Sequence, residues 1–143
     1  MNRRGFRKLA AVRLDDAKAL LNANRYDAAY YLGGYAIECA LKACVAKLTK
    51  RYDFPPRNAG SLYTHKLEDL TKAAGIEKQF KQDRDQDQTL AQNWDTVKDY
   101  SEDRRYELRG KNVAVSARDF LEAIGDNQHG VLRCISNTGR RTN

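Results

Sequence analysis

Chemically capable side chains are densest in DYSEDRRYELRG, residues 99–110, where Arg104, Arg105 and Arg109 are interleaved with Tyr100, Tyr106 and four acidic residues. Guanidinium groups grip phosphate oxygens through paired N–H bonds, and aromatic rings offer bases a surface to stack on. Trp94 lies just upstream. Together these residues would suit a wall that contacts anions or bases. They would equally suit a solvated helix end, with the arginines paired to Asp99, Glu102 and Asp103 and with Trp94 and Tyr106 turned into the core. Composition leaves both readings standing.

Glu38 and Lys42 form a second polar group, four residues apart in the order that favours a helical ion pair. Glu38 borders an apolar face, where a carboxylate needs a partner. Lys42 is the local candidate, and an arginine from another helix is the alternative. The pair reads either as a structural ion pair at the edge of a bundle or as the polar lining of a functional groove. His65 follows a loop, where a histidine by default fixes the start of the next helix; it is also the candidate acid/base group. His129, in DNQHG, reads as an exposed turn residue with no role. Two histidines without HxH or HExxH spacing predict no metal site, and no cofactor is expected. Gly33-Gly34 lies mid-helix, so it is no phosphate cradle, and no nucleophile elbow is present. Cys39 and Cys44 point about 140° apart on one helix at ~100° per residue. With Cys134 they read as small buried hydrophobes rather than as a clamp or a disulfide.

These residues need helices to position them. Over 6–23 the apolar residues Leu9, Val12, Ala17, Leu20 and Leu21 recur at helical steps. A break at Asn22-Ala23-Asn24 precedes the strongest helix, 25–50, with a near-continuous apolar stripe from Tyr26 to Leu48. Each of Gly33 and Gly34 costs that helix roughly 1 kcal/mol relative to Ala. Close approach of a neighbouring helix, from this chain or a second subunit, would compensate. Residues 51–64 hold both prolines and read as a loop. Thr64 is the expected N-cap of a short helix ending at Gly75. Residues 76–101 read as one fourth helix, with the low-complexity KQDRDQDQ as a solvated face or a turn. From Val113 to Ile135 the phase stays helical with a kink near Gly125, and the terminal NTGRRTN is expected to fray. No segment reads as a strand. The expected class is all-α: a largely antiparallel bundle of four to five helices.

The chain has 143 residues, one domain's worth, with a core expected over about 8–136 and a mobile basic N-terminus and C-terminal tail. Lys and Arg exceed Asp and Glu by 26 to 19, a net charge of +7, which favours acidic partners such as nucleic acids, nucleotides or an acidic protein face. No apolar run reaches the ~18–20 residues that span a bilayer, and no signal-peptide core opens the sequence. A cytoplasmic location without membrane contact is expected.

ANRYDAAYYLGGYAIECALKAC resembles the signature second helix of HEPN domains: a turn, Tyr-Asp, an aromatic and small-residue stretch, then Glu and Ala-Leu-Lys. YTHKLEDLTKAAGI is similar to the family's next element, and GVLRCI to its closing helix. The resemblance implies a bundle of four or five helices that usually forms a homodimer. It implies either metal-independent RNases of toxin–antitoxin and defence systems or nucleotide- and RNA-binding accessories, some encoded beside a nucleotidyltransferase antitoxin. The RNase members carry Arg, four to six residues, then His. In this sequence none of the positions at that spacing after Arg104, Arg105 or Arg109 is histidine, and Arg57 with His65 misses by one residue.

Three functions therefore follow as expectations. The first is a dimeric module binding a nucleotide or RNA without the usual cleavage, its groove lined by Arg104, Arg105, Arg109, Tyr100 and Tyr106 beside Glu38 and Lys42. The second is an RNase toxin that uses His65. The third is a structural partner for a nucleotidyltransferase, docking through the small-residue face of the second helix.

Overall fold

The computed structural model describes residues 2–48, 66–101 and 113–141. Its helices are α1 (Arg3–Asn22), α2 (Tyr26–Leu48), α3 (Leu67–Ala73), α4 (Glu77–Gln86), α5 (Gln88–Val97), α6 (Val113–Gly125) and α7 (Val131–Arg141). No strand occurs among the described residues. The all-α class is as expected, with seven helices among the described residues.

The axis of the fold is α2, on which α1, α3, α6 and α7 all pack. From Gly33 to Val45 every residue except Tyr35 and Lys42 is buried. A helix apolar almost all round is an interior helix, which goes beyond the single apolar face the sequence predicts. α1 meets it through Ala10, Leu14 and Ala17, with Leu9, Leu20 and Leu21 partly buried. Val12, expected in that stripe, is 42% exposed, because it falls two positions out of phase with Ala10 and Leu14.

The turn between α1 and α2 is a Schellman motif. Asn24 takes the left-handed conformation (φ 62°), the Arg25 N–H donates to Leu20 O (2.8 Å) and the Asn24 N–H to Leu21 O (3.0 Å). The same motif ends α3 at Gly75 (φ 70°), with the Ile76 N–H on Thr71 O (3.2 Å) and the Gly75 N–H on Lys72 O (3.0 Å). Gly75 therefore does end the third helix. Thr64, its expected N-cap, lies outside the described residues, and the N-cap position is Lys66, whose side chain makes no capping bond. A helix of seven residues does not stand alone in water. Leu67 and Leu70, both fully buried, hold α3 on the core.

Two predicted helices are each split. Asp87 adopts an extended conformation (φ −138°, ψ 95°) and its side chain accepts from the Leu90 N–H (3.0 Å). It ends α4 and N-caps α5, so the polar KQDRDQDQ stretch contains a helix break. Downstream, the kink expected near Gly125 is a full turn. The Asp126 carboxylate accepts from the N–H groups of Gln128 (3.1 Å) and His129 (2.7 Å). α7 then continues through Arg141, across the stretch expected to fray.

Gly33 and Gly34 are filled from within the chain. A Cβ on Gly33 would lie 2.5 Å from Leu121 Cδ2 of α6, and one on Gly34 would clash with the Tyr100 ring at its Cε2. The small-residue face of α2 is thus occupied by α6 and Tyr100 at these positions, and it is not left open for a second subunit or a partner protein.

Candidate functional site

Tyr35, Glu38, Cys39 and Lys42 share one face of α2 by their three- and four-residue spacing. Glu38 is 2% exposed, and the half-buried Lys42 places Nζ 3.4 Å from its Oε2. That is long for a charge-assisted bond, which usually measures about 2.7–2.9 Å. Burial pushes the Tyr35 hydroxyl above its ordinary range, with Cys39 and Glu38 adding to the rise and Arg13 of α1 opposing it. Burial likewise pushes the Cys39 thiol up, so at neutral pH this face offers a protonated thiol and phenol rather than a nucleophile. Arg13 is itself paired with Asp16 (2.7 Å) on α1. The face can donate hydrogen bonds and orient a charged group; among the described residues none adds an imidazole to it.

Tyr100 packs on α2 at Gly34. It is 4% exposed, its hydroxyl donates to Tyr31 O (3.1 Å), and its ring lies over Gly34. The ring centroid is 5.4 Å from that of Tyr30 and 6.0 Å from that of Phe120. With its ring spent on these contacts, Tyr100 is a core anchor and gives a base no free surface to stack on. Gly34 and Glu38 are one turn apart on the same side of α2, so the anchor sits one turn from the buried carboxylate. Trp94 is also core, 5% exposed, edge-on to Phe80 at 4.9 Å. The Arg84 guanidinium lies 4.4 Å from the Phe80 ring centroid and 5.5 Å from that of Trp94. Arg104, Arg105, Tyr106, Arg109 and His65 lie outside the described residues.

Sequence reasoning gave His129 no role, yet it joins three elements. Its Nδ1 is 2.8 Å from Asp87 Oδ2, and its backbone oxygen accepts from Asn93 Nδ2 of α5 (2.8 Å). The bond to His129 holds the Asp87 carboxyl below its usual range, and the Leu90 N–H adds to this. The His129 and Gln128 N–H groups do the same for Asp126. The DxxH spacing of Asp126 and His129 was a legible turn signal, but the contact with Asp87 needs the fold. Thr138, fully buried, donates to Asp83 Oδ2 (3.0 Å), and Cys134 Sγ lies 3.6 Å from the same oxygen. None of the three cysteines forms a disulfide with another; Cys39 and Cys44 are buried and Cys134 is partly so. Among the described residues no group of three His, Cys, Asp or Glu side chains could hold a metal ion, and no helix is long and apolar enough to cross a membrane.

The family model of the HEPN domain matches residues 5–128. The chain belongs to the HEPN domain family. The match runs from α1 into the turn before His129, so it includes the Glu38 face, Tyr100 and residues 99–110. No curated protein and no solved structure matches the chain. Within this HEPN domain, Glu38, Lys42 and the Tyr100 ring that packs at Gly34 are the predicted site residues gathered along one stretch of α2.

Proposed function

We propose that this HEPN domain binds RNA or a nucleotide without cleaving it. Arg104, Arg105 and Arg109 contact phosphate, and the Glu38–Lys42 face of α2 flanks them. The observation that carries this reading is the Tyr100 anchor one turn from Glu38. Arg104 follows Tyr100 by four residues, so their Cα atoms are at most ~14 Å apart, while Gly34 and Glu38 are separated by about 6 Å along α2. This reading takes Arg104 and Arg105 to approach the Glu38 face from the Tyr100 anchor. The net charge of +7 supports a polyanionic ligand. The absence of cleavage rests on the sequence: the positions after these arginines at which RNase members carry histidine hold none. In this reading Tyr100 positions the segment, and Tyr106 is its stacking ring.

The reading also takes the chain as a homodimer, as HEPN domains often are, with a nucleotidyltransferase of a toxin–antitoxin or defence system as its candidate protein partner. The experiment is titration of labelled oligoribonucleotides at two salt concentrations, with the RNA sized afterwards on a gel. The expected result is salt-sensitive binding with RNA of unchanged length. Unaltered mobility at low salt would remove the RNA reading. Shortened RNA, lost on His65→Ala, would show the RNase reading to be the right one.

A further inference from the structure

We propose that the cleft between α1, α2 and α7 is a phosphate-binding site sized for a single phosphate group. The group would belong either to a free nucleotide or to an RNA strand. This inference uses no residue of the 99–110 segment and stands without the reading above.

Arg3 and Arg7 line the cleft from α1, Cys44 from α2, and Leu132, Ser136 and Gly139 from α7; alanines of α1 and α2 also line it, and among the described residues that line it none is acidic. The small residues make the space, because two facing helices lined by alanine leave a gap that larger side chains would fill. A Cβ on Gly139 would lie 2.6 Å from Cys44 Sγ, so α7 and α2 touch there and close one end.

Positive charge converges on that end. Arg7, Lys47 and Arg3 all act on the Cys44 thiol in the direction that favours its anion, although burial outweighs them and its pKa is raised. Lys47 Nζ donates to Gly139 O, which holds this cation beside the closed end. Arg3 and Arg7 are four residues apart on one face of α1. A phosphate between them would accept N–H bonds from both guanidiniums, with the Ser136 hydroxyl as a further donor. The cleft holds about 170 Å³, below the ~300–1,000 Å³ of pockets that enclose a whole small molecule. It therefore takes the phosphate and leaves the rest of the ligand outside.

The test compares R3Q/R7Q with R4Q/K8Q, which removes the same charge from exposed positions of α1 that do not line the cleft. A third variant, Ala11→Leu, fills the cleft from an exposed position and leaves the charge intact. Inorganic phosphate and 5′-AMP are titrated by calorimetry and a labelled oligoribonucleotide by anisotropy, with thermal unfolding checking each variant. Saturable binding is expected, weakened at least tenfold in R3Q/R7Q, severalfold in Ala11→Leu and less than twofold in R4Q/K8Q. Binding of inorganic phosphate and AMP would identify a free nucleotide as the source; cleft-dependent binding of the oligonucleotide alone would identify the strand. Loss of oligonucleotide binding in R104Q/R105Q/R109Q with phosphate binding retained would leave the cleft standing and separate the two sites. Equal losses in the two double variants, no effect of Ala11→Leu, or no saturable binding of any probe would overturn the proposal.

Discussion

Substituting Gly34 with Ala should either destabilise or stabilise this protein, depending on whether Tyr100 is present. In the wild type a Cβ at position 34 would clash with the Tyr100 ring, a ring that is 4% exposed and packed between Tyr30 and Phe120. Overpacking of this kind costs about 1–3 kcal/mol, and replacing a mid-helix Gly by Ala returns only ~1 kcal/mol. Displacing the ring also strains the Tyr100 hydroxyl bond to Tyr31 O, worth about 1 kcal/mol. Gly34→Ala should therefore lose roughly 1–3 kcal/mol net. Tyr100→Ala alone should lose about 3–5 kcal/mol, as aromatic truncations in cores do. In the Tyr100→Ala background the obstacle is gone, and Gly34→Ala should then be neutral or stabilising by up to ~1 kcal/mol. Urea unfolding of the four proteins, followed by far-UV circular dichroism, closes the cycle with a coupling of about 2 kcal/mol or more. An equal cost of Gly34→Ala in both backgrounds would refute the packing of Tyr100 on α2, and with it the anchor on which the proposed groove rests.

Other expectations follow from the same geometry. Asp87 and Asp126 have folded pKa values below their unfolded ones, so their contribution is fully present above about pH 4 and is lost as pH falls through the folded values. The urea midpoint of the wild type should drop in that window, and Asp87→Asn should flatten the drop; an unchanged profile would contradict the His129 contact. Removing the Asp87 cap with Asp87→Ala should cost about 0.5–2 kcal/mol at neutral pH, read from the same unfolding curves. Thr138→Val should cost about 1–3 kcal/mol, because it leaves Asp83 short of a buried hydrogen-bond donor; thermal unfolding checks this. Cys39 and Cys44 should resist alkylation in the native protein, with Cys134 labelling first; mass spectrometry of timed digests would show the order.

The class of the fold was legible because its evidence is local. The periodicity around α2, the Asn-Ala-Asn break and Gly75 each act within a turn of the chain. The splits at Asp87 and Asp126 were less visible, since each depends on a carboxylate turning back onto backbone N–H groups inside a stretch whose polarity still suits a helix. Val12 was misplaced because the phase of α1 is set by Ala10, Leu14 and Ala17, small residues that a search for large apolar side chains underweights. For the site, Glu38 and Lys42 were found where they pair. Tyr100 was named for its ring but is used by the core, and only a three-dimensional contact with Gly34 could reveal that. His129 was passed over because its partner, Asp87, lies 42 residues away. The Arg3–Arg7 cleft was hidden for a similar reason: its walls come from both ends of the chain.

The central claim is that Arg104, Arg105 and Arg109 bind phosphate beside the Glu38 face. Its most direct test is the salt dependence of oligoribonucleotide binding by the wild type and by R104Q/R105Q/R109Q. Each phosphate contact to a single strand contributes about −0.7 to the slope of log K against log salt, so losing three should flatten it by roughly two units. That flattening, with fold and stability unchanged, is the predicted result. A slope and affinity equal to those of the wild type would contradict the account.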